Sequence, residues 1–296
     1  MIRAITSLAA LGALVLGGGL WITAPDRVDP DAVAGLVGVP ARGKDVFDAG
    51  GCASCHAAEG ATGEARLILS GGRAFATPFG SFRAPNISQD PDHGIGGWDL
   101  ADLVNAMRYG TSPQGQHYYP AFPYTSYSRA TLQDIADLQA YLVTLPADAT
   151  PDQPHDLGFP FTIRRGLGLW KALYLDHGWT VTGELTAAEN RGRYLAEALG
   201  HCAECHTPRG PLGGLDHDRW MGGAPNPSGS GTIPNITPAR LDWSEADIVA
   251  YFTSGFTPDY DTAGGSMAEV VQNLAQLPEA DRAALAAYLK RLAPVD

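Results

Sequence analysis

The chain has 296 residues, with 20 Lys+Arg against 32 Asp+Glu, a formal charge of −12. So acidic a chain lacks the basic face that neutralising nucleic-acid phosphates requires, and 45% hydrophobic content excludes wholesale disorder. Its 36 Gly and 22 Pro predict short helices in much loop, and four Cys are too few for a disulfide-dense scaffold.

Residues 4–24 carry no charge and are mostly apolar. As a helix at about 1.5 Å per residue they span about 30 Å, enough to cross a bilayer. Arg3 precedes the run and Asp26, Asp29 and Asp31 follow it, which orients the N-terminus inside and the rest of the chain outside. A cleaved signal peptide is the competing reading, although Ile22-Thr23-Ala24 before Pro25 lacks a small-x-small cleavage pattern. Residues 1–25 are thus a membrane anchor or a signal peptide, and either exports the protein.

Cys52-Ala53-Ser54-Cys55-His56 recurs as Cys202-Ala203-Glu204-Cys205-His206. Two thiols two residues apart can bond to both vinyl groups of a haem, and a His directly after them falls where it can ligate the iron. A zinc site, a redox dithiol or a structural disulfide uses paired Cys too, but none requires that His. The two motifs consume all four Cys.

The surroundings repeat as well. Pro85-Asn86-Ile87-Ser88 answers Pro234-Asn235-Ile236-Thr237, and Trp98-Asp99-Leu100 answers Trp243-Ser244-Glu245. Gly110 answers Gly255, and Tyr141-Leu142 answers Tyr288-Leu289. The Asn-Ile-Ser/Thr triplets match a glycosylation sequon, but their shared register favours a structural loop. Residues 41–49 and 187–199 predict helices leading into the Cys motifs, beside Gly43 and Gly192. Asp99 and Ser244 predict N-caps. Ile135, Leu138, Leu142 and Leu145, like Leu285, Tyr288, Leu289 and Leu292, show helical spacing for a last helix. No β-alternation is convincing, so the expected class is all-α: two tandem units over 36–146 and 185–296, joined by a linker over 147–184.

The paired motifs, the first-helix glycines and the last-helix tyrosines resemble class I cytochrome c domains. Gly94-Ile95-Gly96-Gly97-Trp98, Tyr119-Pro120-Ala121-Phe122-Pro123-Tyr124 and Gly264-Gly265-Ser266-Met267-Ala268-Glu269-Val270 resemble the cytochrome c subunits of bacterial membrane-bound alcohol, aldehyde and sugar dehydrogenases. The resemblance covers about residues 40 to 295. Several of those subunits carry three haem motifs, whereas this chain has two.

The linker starts rich in Pro and Asp, then turns apolar with a basic patch at Phe159-Pro160-Phe161-Thr162-Ile163-Arg164-Arg165. It reads as a bridging segment packed between the units, or as a partner-docking or membrane-surface element. Trp170 and Trp179 read as packing residues.

His56 and His206 follow from the motifs as iron ligands. Met267, in a Gly-rich loop, sits where the resemblance places the sixth ligand of the second haem; Met221 reads as packing. The offset that aligns Gly110 with Gly255 carries Met267 onto Phe122, which cannot ligate iron. His117 in the same loop, Met107, or a water-ligated iron remain for the first haem. Arg73, Arg83, Trp98 and Trp243 are possible contacts for the haem propionates.

The implied function is a dihaem cytochrome with two covalently attached haem c groups. It works on the periplasmic side of the inner membrane, passing electrons from a dehydrogenase towards an oxidase or soluble cytochrome. The competing readings are a dihaem peroxidase or sulfur-compound dehydrogenase with chemistry at the first haem, and a zinc-binding interaction module. With ionised propionates the charge becomes about −14 oxidised and about −16 reduced, which favours partners with a basic patch.

Overall fold

The computed structural model describes residues 7, 12, 14, 16–227 and 231–296. Much of the apolar run over 4–24 therefore lies outside the described residues. Residues 16–22 are helical, and among the described residues no helix is long and apolar enough to cross a membrane.

The first unit is built on α2 (Pro40–Ala49) crossing α6 (Leu132–Leu142), after a short α1 (Pro30–Val33). Gly43 makes the crossing possible, because a Cβ there would lie 1.9 Å from the Asp137 carbonyl oxygen. The second unit repeats the crossing with α8 (Ala187–Arg193) and α12 (Glu279–Arg291), where a Cβ on Gly192 would lie 1.9 Å from the Ala284 oxygen. Of the residues that their spacing marked, Ile135, Leu138 and Leu142 are buried in one and Leu285, Tyr288 and Leu289 in the other; Leu292 is buried just past its helix, and Leu145 lies beyond α6 and is only partly buried.

The predicted caps form. Asp99 accepts from the Asp102 N–H to start α4 (Leu100–Tyr109), which ends at Gly110 in the left-handed region. Ser244 forms a capping box with Asp247 at the start of α10 (Glu245–Ser254), which ends at left-handed Gly255. The helix expected over 187–199 divides: after α8 it continues as a π-helical turn, Tyr194–Leu199, closed by a hydrogen bond from Gly200 N–H to Leu195 O.

The all-α expectation needs one correction. Each unit carries a small antiparallel ribbon. In the first, β1 (Ala74–Thr77) pairs with β2 (Gly80–Arg83), which also pairs with β3 (Asp156–Leu157) of the linker. In the second, β4 (Ala224–Pro225) pairs with β5 (Thr232–Ile233). Strands of two to four residues are too short to display an alternation.

The Asn-Ile-Ser/Thr triplets serve as shared structural loops. Asn86 is 3% exposed and its Nδ2 donates to the Asp148 and Thr150 carbonyls, while Asn235 Nδ2 donates to Val295 O. Each Asn Oδ1 accepts the N–H two residues on. The linker is packed, in keeping with a bridging segment. Its helix α7 (Gly166–Tyr174) sends Lys171 Nζ to the Tyr109 and Gly110 carbonyls at the end of α4, at 2.5 and 2.7 Å.

Candidate functional site

The first motif folds as α3 (Cys52–His56) and the second enters α9 (Ala203–His206) from Cys202. Each helix is preceded by a residue in the left-handed region, Gly51 at φ 61° and His201 at φ 41°. A glycine meets that requirement without cost; a histidine there is held by its surroundings. His201 is held at the junction of the units, with Nε2 3.3 Å from the Gly50 carbonyl and its ring edge-on to Tyr127.

The two motif histidines are held identically. His56 Nδ1 lies 2.8 Å from Pro85 O, and His206 Nδ1 lies 2.8 Å from Pro234 O. A carbonyl can only accept, so Nδ1 carries the proton and the Nε2 lone pair is left free, the arrangement that orients a metal-ligating imidazole. Backbone bonds lock each motif from the other side, from Gly71 N–H to His56 O and from Gly223 N–H to His206 O, both 2.7 Å. Burial lowers both imidazole pKa values below the ordinary one, which keeps the rings neutral.

The four thiols are unbridged. Burial pushes Cys52 and Cys202 up to about 12 and Cys55 up to about 11, and raises Cys205 in the same direction. Among the described residues no group of three or more His, Cys, Asp or Glu is placed to hold a metal ion, so a zinc reading lacks its ligands. Paired free thiols beside a neutral His with a free Nε2 fit covalent haem attachment.

Met267 is in the first turn of α11 (Ser266–Leu274), a helix that starts after Gly265 at φ 54°, and is partly buried against the core. The matching Phe122 packs against Tyr118, Tyr124 and Tyr127 ahead of α5 (Tyr124–Tyr127). Met107 and Met221 are core residues, 5% and 0% exposed. Met221 occupies the place of Leu69: the carbonyl of each accepts from the Ile of the following Pro-Asn-Ile loop.

His117 is 2% exposed and its Nε2 lies 3.0 Å from Thr23 O, while Nδ1 is buried with no hydrogen-bond partner. Its bridge to Thr111 matches the bridge of Phe256 to Thr262. His117 therefore corresponds to Thr262, five positions ahead of Phe122. Arg73, considered for a propionate, is paired with Glu269 at 2.7 Å, and Arg83 Nη1 lies 3.5 Å from Gly72 O.

Repetition marked Pro85 and Pro234 in the sequence but not their hold on the histidines. Contacts across the two units were not marked at all. Asn273 on α11 bonds to Ser54 within the first motif, and Arg66 donates to Asn273 at 2.8 Å. Glu204 within the second motif accepts from Thr125 on α5 at 2.7 Å. Each motif thus touches a helix of the other unit, the first motif α11 and the second α5.

The family model described as Cytochrome c matches twice, over residues 40–146 and 190–293. This fold and pair of motifs define a two-domain c-type cytochrome, and the chain belongs to the cytochrome c family. It is 59% identical over 296 residues to a "Diheme cytochrome c-type" protein of Cereibacter sphaeroides, covering 100% of both chains. It is 38% identical over 258 residues to the "Fructose dehydrogenase cytochrome subunit" of Gluconobacter japonicus, covering 84% of this chain and 51% of that one. It is 34% identical over 304 residues to the "Alcohol dehydrogenase (quinone), cytochrome c subunit" of Gluconacetobacter polyoxogenes, covering 98% and 62%. The chain therefore spans about half to two thirds of these two dehydrogenase subunits. It is a dihaem cytochrome with two covalently bound haem c groups, homologous to electron-transfer subunits of dehydrogenase complexes.

Proposed function

We propose that Cys52 and Cys55 hold one haem and Cys202 and Cys205 the other, with His56 and His206 as proximal ligands and Met267 as sixth ligand of the second iron. The observation that carries this reading is the duplicated geometry, His56 on Pro85 and His206 on Pro234, each at 2.8 Å. Haem supplies one-electron chemistry when bound. The chain's own residues fix each imidazole's tautomer and direction, keep it neutral by burial, and join the two motifs through Ser54, Asn273, Glu204 and Thr125.

The same reading places the protein on the periplasmic side of the inner membrane, held there by the N-terminal run. Electrons enter from a dehydrogenase partner and leave to an oxidase or soluble cytochrome. The kinship with dehydrogenase cytochrome subunits supports the donor. For the first haem we assign His117 as sixth ligand: its Nε2 is occupied by the Thr23 carbonyl, and its buried Nδ1 is unpartnered.

Phe122 at the methionine position favours one competing reading, chemistry at an open first iron. Two measurements test the assignment. Replacing both cysteines of one motif, Cys52→Ala with Cys55→Ala or Cys202→Ala with Cys205→Ala, should remove one of the two haems from the denatured chain; retention of both overturns the attachment sites. Ferrous protein that ignores carbon monoxide at both irons supports electron transfer, and binding at the first iron supports the enzyme reading.

A further inference from the structure

Helix α7 and the turn before it present an apolar face to solvent. Phe159 is 84% exposed, Leu173 63%, Leu169 55% and Ile163 53%. On α7, Leu169, Ala172 and Leu173 fall on one helical stripe with Gly166, and all four are exposed. The other side of the helix is spent on packing: Lys171 caps α4, and Gly168 lies so close to Thr23 that a Cβ would meet its Cα at 2.6 Å. Nothing among the described residues covers the outer stripe.

The face continues into the N-terminal helix. Arg165 Nε donates to Thr23 Oγ1 at 2.9 Å and its Nη2 to Leu20 O at 2.5 Å, which ties the start of α7 to the last turn of the apolar run. Leu20, Trp21 and Ile22 are exposed there, Trp21 at 80%. An uncharged stretch ending in an exposed Trp, joined by an Arg to an amphipathic helix, has the layout of a segment at a bilayer surface. The charge agrees. Arg164 and Arg165 have no carboxylate partner among the described residues, although the chain as a whole is at −12. Arg164 Nη1 donates to His117 O and its guanidinium lies over the Tyr119 ring at 4.6 Å, but no carboxylate neutralises either arginine, and two uncompensated positive charges beside apolar side chains complement anionic lipid headgroups.

We propose that the outer face of α7, with Phe159, Ile163, Leu169 and Leu173 as its apolar contacts and Arg164 and Arg165 at its headgroup edge, lies in the surface of the anionic membrane that the N-terminal run enters. The proposal rests on the reading of that run as a membrane segment. It adds a second attachment that fixes the rotation of both haem units above the bilayer.

The test uses the full-length, haem-loaded protein with a nitroxide attached through Ala172→Cys, the irons reduced, on phosphatidylcholine vesicles containing phosphatidylglycerol. Flotation at high salt reports the N-terminal run; collision of the nitroxide with oxygen and with an aqueous nickel complex reports α7. The expected result is flotation together with loss of nickel collisions. Adding Leu169→Glu and Leu173→Glu should restore nickel collisions while the protein still floats. A floating protein whose label stays fully accessible to nickel overturns the proposal and leaves the N-terminal reading standing. A protein that does not float overturns both.

Discussion

Asn273 Nδ2 donates a 2.8 Å hydrogen bond to Ser54 Oγ across 219 positions of chain. Ser54 lies between the two cysteines of the first motif, and Asn273 lies on the helix that begins with Ser266 and Met267. The site on one side of the second unit is thereby tied to the attachment helix of the first. Glu204 and Thr125 make the reciprocal tie at 2.7 Å.

Removing these ties should loosen the units from one another. Asn273→Ala deletes bonds to Ser54 and from Arg66, and Thr125→Val deletes the bond to Glu204; each bond contributes about 1 kcal/mol. The double variant should show two separated unfolding transitions by calorimetry where the parent shows one, with both haems still attached. A single transition at the parent temperature would show that the units are coupled elsewhere.

The two proposed sixth ligands predict a separate response in each unit. Met267→Ala should abolish the sulfur-to-iron charge-transfer band and lower one midpoint potential, because a thioether ligand raises it. His117→Ala should convert the other haem from low to high spin in the magnetic-resonance spectrum of the oxidised protein. An unchanged spectrum removes His117 from the coordination sphere.

Gly43→Ala and Gly192→Ala should each be costly, because the added methyl would lie 1.9 Å from a carbonyl oxygen of the facing helix. Overpacking of this kind costs about 1–3 kcal/mol, and more where backbone must move. Thermal denaturation of the two variants measures it, with Gly264→Ala as the control, since a Cβ there meets nothing within 4 Å.

Acid should weaken the first unit through Asp137. Burial opposes its charge, but hydrogen bonds from Arg42, the Val39 N–H and Gln133 outweigh that and hold its pKa below the ordinary carboxylate value. A carboxylate depressed on folding contributes stability above its unfolded pKa, about 4, and loses it as pH falls through the folded value. Asp137→Asn should therefore be less stable than the parent at neutral pH, and the gap should close on acidification, as denaturant midpoints would show.

Lys171→Met should leave the Tyr109 and Gly110 carbonyls unpaired at the end of α4. Burial pulls the ammonium down to about 8, with Asp26 opposing that, and the Tyr124 ring lies beneath it 4.9 Å away. Loss of both bonds should cost about 1–3 kcal/mol in chemical denaturation.

Local chemistry carried most of what could be read from the chain. The motifs, the Asp99 and Ser244 caps and the glycines of the helix crossings announce themselves because each needs particular residues within a few positions. The tie between Asn273 and Ser54 leaves no such trace, since polar pairs 219 residues apart have no period. The ribbons escaped because two to four residues cannot show alternation, and the linker's hold on α4 because a single Lys does not mark its carbonyl partners.

The π turn at Tyr194–Leu199 had left a sign. Gly43 and Gly192 are 149 positions apart, whereas Cys52 and Cys202 are 150 apart, so the second copy holds one extra residue between them. The helix stores that residue as a local bulge, and Glu197 within it collects the Thr180 and Val181 N–H groups and the Tyr288 hydroxyl. After duplication, the second copy could change length upstream of its cysteines without displacing them. A change of length, as well as substitution, thus separates the two copies, and the Glu197 carboxylate gives the connecting segment something to grip.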